Sequence, residues 1–285
     1  MSNMPVLLPE NIVRQITDFI SSKADFLGLD LSSNVPLGTK VFDILGKQCT
    51  VVYFPIEQID EENDAFLLTD IPMRSGELRN IVFINTFQTS EKQVFAAAHE
   101  LGHLLNINAV IKTPDGVDDE EFNERLVNRF AAELLMPKIQ FCDFIINTFN
   151  KFDQEKFSFR SLLELVVETM NYFSVPYNSV VIRLVELKII TEPQGRLLVD
   201  GTEELPINVL KTIVKTIISE SDYENLQSRN MKKEIAGLSD LLEKAEQKDT
   251  VSQVQIDRLR DLFNIPHDSQ QAFLDKPLEL PIERG

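Results

Sequence analysis

The chain has 285 residues, 43% of them apolar, enough to build a core in one large domain or in a compact domain with a helical appendage. A formal charge of -17 argues against a nucleic-acid surface, which needs a basic patch, and suits a basic partner or a solvated acidic exterior. Cys49 and Cys142 stand far apart and outside any CxxC, as reduced thiols do. With no basic-apolar leader and no apolar run of spanning length, a cytoplasmic protein without membrane contact is expected.

Ile12, Val13, Ile16, Phe19 and Ile20 recur at helical spacing and predict an amphipathic helix over 12–26. Three short strands follow, at 50–54, 65–69 and 80–85, rich in β-branched and aromatic residues. An acidic loop (60–64) and a polar turn (74–77) separate them. Thr89, Ser90 and Glu91 offer helix-start chemistry ahead of Val94, Phe95, Ala98, Leu101, Leu104 and Leu105. Pro114-Asp115-Gly116 marks a turn, and Asp118 to Glu121 put negative charge where the macrodipole of a helix over 120–136 favours it. Pro137 restricts Met136 and ends that helix. Further helices are predicted over 139–147, 159–173 and 176–187, then a turn at Pro193-Gln194-Gly195. After Gly201 the chain becomes helix-rich and charged over 205–247. Leu210, Ile213, Val214, Ile217 and Ile218 there form an apolar stripe, read as an internal packing face or a second-subunit interface. A last helix spans 251–263, and the proline-containing tail from 266 reads as extended or disordered.

Within the helix after Thr89 lies His99-Glu100-Leu101-Gly102-His103, the HExxH pattern of zinc peptidases, holding two of three histidines. Residues four apart share a helix face, so both imidazoles can reach one ion. Glu100 can then take a proton from water at that ion. Ala96, Ala97, Ala98 and Gly102 are small, which lets a neighbouring element approach closely. A surface helix would gain nothing from an interior glycine that costs it about 1 kcal/mol.

A catalytic zinc wants a third protein ligand, and His267 lies far away in the tail. The acidic helix after Gly116 offers Glu124 or Glu121. Glu124 is favoured because Asn128, one turn later on the same face, can orient a ligand by hydrogen bonding. Phe122, Leu126, Phe130 and Leu134 line the opposite, core-facing side.

These residues carry a resemblance. Phe95-Ala96-Ala97-Ala98-His99-Glu100-Leu101-Gly102-His103-Leu104-Leu105, then Glu124, then Asn128-Arg129-Phe130-Ala131-Ala132-Glu133-Leu134-Leu135-Met136-Pro137 resemble the ImmA/IrrE metallopeptidases. The strand Ile81-Val82-Phe83-Ile84-Asn85 fits as well, and the likeness covers about 41–198. One departure is Leu126-Val127, where the family more often has Glu-Ala. The resemblance implies a zincin-like core with a short mixed sheet and active-site helices beside a helical subdomain; with the helix-rich composition after Gly201, the expected fold is α+β with a helical C-terminal extension. The resemblance also implies one Zn2+ per chain held by His99, His103 and Glu124, with Glu100 as general base. The units would be 1–40, a helical segment; 41–138, the core; 139–200, a helix-turn-helix-like subdomain; 201–265, the extension; and 266–285, the tail.

The function implied is a zinc endopeptidase that cuts a regulatory protein, a helix-turn-helix repressor of mobile-element, phage or stress genes. The alternative is an anti-repressor that binds such a repressor without cutting. A direct DNA reader is disfavoured: the helix-turn-helix rhythm of 162–190 sets Glu164, Glu168 and Glu186 against Arg183 and Lys188. The strand at 80–85 is expected to be the edge on which substrate pairs. Tyr172 and Tyr177 are candidates for oxyanion stabilisation, and the C-terminal helices for homo-oligomer contacts.

Overall fold

The structure, a computed structural model, describes residues 7–57, 64–73, 76–114, 118–149, 158–203 and 214–266. Two helices lead: α1 (Glu10–Leu27) and α2 (Lys40–Gln48). Strands β1 (Thr50–Phe54), β2 (Ala65–Pro72) and β3 (Leu78–Asn85) follow, then α3 (Ser90–Leu104), short α4 (Ile107–Val110) and α5 (Asp119–Leu135). Beyond these come α6 (Lys138–Phe149), α7 (Phe159–Phe173), α8 (Tyr177–Glu186) and α9 (Glu192–Glu203). The last elements are α10 (Glu220–Gln227), β4 (Glu234–Ile235), α11 (Leu238–Gln247) and α12 (Gln253–Leu262). The class is α+β. No described helix is long and apolar enough to cross a membrane.

The sheet order is β2-β3-β1-β4, with β1 parallel to β3 and the outer strands antiparallel to their neighbours. This corrects the expectation that 80–85 is an edge: β3 is interior, and β2 and the short β4 are the edges. A continuous apolar run suits an inner strand, and Ile81-Val82-Phe83-Ile84 is such a run. Val82 and Ile84 point to the helices and are fully buried, whereas on the other face Phe83 stacks on Phe66 at 4.8 Å. Asn85 ends β3 for a mechanical reason. Its buried side-chain amide accepts from the Ile56 and Phe87 N–H groups and donates to the Ile56 carbonyl, pinning the loop after β1 to the approach to α3.

Behind the sheet, α3 buries Val94, Ala97, Ala98 and Leu101 against α5, whose Phe122, Leu126, Val127 and Phe130 are equally inaccessible. Helix α1 closes the stack, Phe19 meeting Phe130 edge to face at 6.2 Å. Each of the larger side chains contributes roughly 1.5–3 kcal/mol on leaving water, the alanines less. Gly102 is where α3 and α5 come closest: a Cβ there would lie 2.9 Å from both Phe130 Cδ1 and Val127 Cγ1.

Three local readings change. The predicted turn at Pro193-Gln194-Gly195 is the first turn of α9. Thr191 N–H donates to Gln194 Oε1 at 2.8 Å and the Gln194 N–H reaches back to Thr191 Oγ1, so this is a capping box, and proline is at home in a first turn. Helix α2 was not anticipated at all. The stripe after Gly201 is described only in part: Val214, Ile217 and Ile218 pack against Leu163 and Val167 of α7, an internal face, while Leu210 and Ile213 lie outside the described residues.

The extension returns to the core. β4 pairs with β1, Thr86 Oγ1 donates to the Lys232 carbonyl at 2.8 Å, and Asn230 Nδ2 donates to Gln93 Oε1 of α3 at 3.1 Å. Phe263, just past α12, meets Phe54 of β1 edge to face at 5.9 Å.

Candidate metal centre

Helix α3 presents one face to the core and another, bearing Lys92, Ala96, His99 and His103, to a cleft of about 650 Å³. The cleft's opposite wall is β2, from Asp64 to Thr69, and α5 supplies Glu124 and Asn128. The N-cap of α5 is Asp118, whose carboxylate accepts from the Glu121 N–H at 2.9 Å; Asp119, Glu120 and Glu121 fill the first turn. Those charges follow the macrodipole, and they leave Glu124 on the turn that crosses the two histidines.

The ligand atoms of His99, His103 and Glu124 all lie within 4.8 Å of one another. The two Nε2 atoms are 3.0 Å apart, and each is 3.4 Å from a Glu124 oxygen. Ligands held about 2.0–2.1 Å from a tetrahedral zinc sit roughly 3.3 Å from each other, so the spacing fits that ion without rearrangement. Asn128 Oδ1 accepts from His99 Nδ1–H at 3.0 Å, which fixes the tautomer and turns the Nε2 lone pair toward the cluster. Burial first, then the neighbouring His103, lower the His99 pKa, which favours the neutral form a metal binds. Two nitrogens and a carboxylate oxygen beside an open cleft match the donor set that a catalytic zinc ion takes, and could hold such an ion.

Glu100 lies in the same cleft but is 5% exposed. Burial, with the Glu124 charge second, pushes its carboxyl up to about 7, the range in which a group both takes and returns a proton near neutral pH.

The other candidates fall outside. Glu121 is 68% exposed and reaches toward Arg125 at 3.9 Å. Tyr172 donates to the Asn34 carbonyl and Tyr177 to the Leu198 carbonyl, and neither lines the cleft, so both are structural. Two features escaped the sequence reading. One is the cleft's own lining: Phe66 of β2 and Lys92, Asn106 and Asn108 around α3. The other is a buried ion cluster at the far end of α5. There Glu133 accepts from Arg129 at 2.7 Å and from Arg183 at 2.8 Å, and Arg183, fully buried, also donates to the Met136 carbonyl. In the sequence Arg183 enters only the charge balance of 162–190; the Glu in the Phe-Ala-Ala-Glu-Leu-Leu-Met-Pro block is the available clue to its pairing. In the same helix, α8, Val180, Val181, Leu184 and Val185 are buried too, so it is packed rather than presented.

A HExxH helix crossed by a glutamate-bearing helix, beside a mixed sheet with β2 at one edge, defines a zincin-like core. The sequence model of the Peptidase_M78 family, described as the IrrE N-terminal-like domain, matches residues 47–185. That segment belongs to the ImmA/IrrE family, as its motifs implied. Among curated proteins no significant match is found. Among solved structures, a Mycobacterium tuberculosis transcriptional regulator is similar at 12% identity with a TM-score of 0.39, over 62% of this chain and 47% of that one. The overlap thus spans about half of that regulator's length.

Proposed function

We propose that the protein is a zinc-dependent endopeptidase of the cytoplasm that cuts a regulatory protein, a helix-turn-helix repressor in the first instance. The observation that carries the reading is the convergence of His99, His103 and Glu124 beside a buried Glu100 in one open cleft. His99, His103 and Glu124 would hold the ion. Bound there, Zn2+ supplies Lewis-acid polarisation of a carbonyl and lowers the pKa of water.

The chain's own groups do the rest. Glu100 accepts a proton from the attacking water and delivers it to the leaving amine, from its place in the same cleft as the ligand atoms. Asn128 keeps His99 in its ligand tautomer. An extended substrate segment adds to the free edge of β2, where main-chain pairing holds the scissile bond over α3. Such pairing needs a strand, so the cut falls in a flexible or locally unfolded part of the target.

The test is to load the full chain with zinc and incubate it with the small helix-turn-helix repressor encoded nearest to its own gene. Chelator-sensitive cleavage that Glu100→Gln abolishes is expected. Tight binding of the repressor with no cleavage at any zinc concentration would replace this reading with a sequestering anti-repressor.

A further inference from the structure

Among the described residues lining the cleft, Lys92 is the one lysine or arginine, in a wall that otherwise carries Asp64, Glu100 and Glu124. Its sequence neighbour Glu91 feels its charge but is directed elsewhere. The Glu91 side chain is turned inward, 6% exposed, and accepts from Thr89 Oγ1 at 2.7 Å. Lys92 precedes His99 by two helical turns on the same face, which places it about 10 Å along α3 from the metal cluster. An extended peptide advances about 3.4 Å per residue, so that distance is roughly three substrate residues.

Direction follows from topology. β2 is antiparallel to β3, and after the turn at 86–89 α3 runs back along the sheet, so β2 and α3 point the same way. A substrate strand added antiparallel to β2, the more stable pairing, has its C-terminal side over Lys92.

We propose that Lys92 is a specificity residue that pairs with a carboxylate carried about three residues to the C-terminal side of the scissile bond. The preferred substrate is therefore an extended segment with an Asp or Glu after the cut, or one whose own C-terminal carboxylate lies at that distance. This rests on the peptidase reading and deepens it. Charge complementarity is the warrant: in a chain of net charge -17, Lys92 is the one lysine or arginine among the described residues lining the cleft, so away from the metal position it is where a substrate carboxylate is favoured.

The test uses synthetic ten-residue peptides with randomised central positions, made with free and with amidated C-termini, and the zinc-loaded full chain. Mass spectrometry should show Asp and Glu enriched two to four residues beyond the cut, by about fivefold over neutral residues, the size expected of one partly exposed ion pair. Lys92→Met should bring that ratio to about one, and Lys92→Glu should invert it in favour of Lys and Arg. Enrichment that appears only with free C-termini assigns the carboxylate to the chain end. The same peptides are bound to the zinc-loaded Glu100→Gln protein and followed by fluorescence anisotropy. An acidic preference there that Lys92→Glu reverses, with no cleavage by the wild type, keeps the Lys92 assignment and removes the peptidase reading. Cleavage or binding with no carboxylate preference, or a preference that Lys92→Glu leaves in place, overturns the proposal.

Discussion

Glu100 of α3 and Glu133 of α5 are almost equally buried, 5% and 6% exposed, yet their surroundings drive them in opposite directions. Glu100 has no guanidinium partner among the described residues and a carboxylate nearby, so among the protein's own groups burial lifts it to about 7. For Glu133 burial pushes up as well, but Arg183 and Arg129 outweigh it and hold the carboxyl below its ordinary value of 4.5. Burial alone therefore says nothing about role. A buried acid with matched guanidinium partners is a structural clamp, and one left without them is available for proton transfer.

The comparison breaks first at Glu100. Glu100→Gln keeps the shape and removes the proton acceptor, so cleavage should fall by on the order of 10² to 10⁴ while metal content by mass spectrometry stays at one per chain. Retained activity would show that the raised carboxyl is idle.

At the other pole, Arg183→Met should cost about 3 kcal/mol in urea unfolding, the low end for opening a buried pair, because Arg129 still faces Glu133. The pH dependence has a definite sign. Glu133 is lowered in the fold, so its contribution is complete above about 4.5 and disappears as pH falls through the folded value. Glu186, raised by burial ahead of its Arg129 and Arg183 contacts, runs the other way: its contribution is present at low pH and withdrawn as pH rises. Urea midpoints between about pH 3 and 7 should thus flatten in Glu133→Gln and steepen in Glu186→Gln. A wild-type slope unchanged by either substitution would mean the cluster is silent.

The two poles were not equally legible in the sequence. His99 with His103, and Glu124 with Asn128, could each be placed on one helix face by periodicity, while the pairing of the two faces came from the need for a third ligand and from the family resemblance. Helices α3 and α5 formed where start signals and apolar spacing predicted. Glu133 and Arg183 could not be read in this way, since a charge in an amphipathic pattern reads as solvated and their pairing joins elements 50 residues apart. The same limit explains β3. Its apolar run announced a strand, but edge or centre depends on β1 and β2 arriving on either side. Strand β4 is two residues long and exists only because the extension returns to β1.

Asn128 sharpens the metal pole. It is not one of the three converging ligand residues and reaches them through the 3.0 Å bond to His99 Nδ1. Asn128→Ala should weaken zinc binding about 10- to 100-fold by competition with a chromophoric chelator. Asn128→Asp, which can still accept from Nδ1–H, should recover most of that affinity. Equal losses in both variants would reduce Asn128 to packing.

The smallest effect concerns what holds the two poles on adjoining helices. Gly102 and Gly46 both sit inside helices, but a Cβ at Gly46 meets nothing within 4 Å, whereas one at Gly102 meets Phe130 and Val127 at 2.9 Å. Alanine gains about 1 kcal/mol of helix propensity at either position. At Gly46 that gain should stand, raising stability by roughly 0.5–1 kcal/mol. At Gly102 forced displacement of a packed ring costs about 1–3 kcal/mol, so the net should be a loss of up to about 2 kcal/mol. Pushing α3 from α5 also separates the histidines from Glu124, so zinc affinity should fall in Gly102→Ala and hold in Gly46→Ala. Stabilisation at both positions would mean that α3 and α5 have room to spare, and that the 3.0–3.4 Å ligand spacing is not set by their close approach.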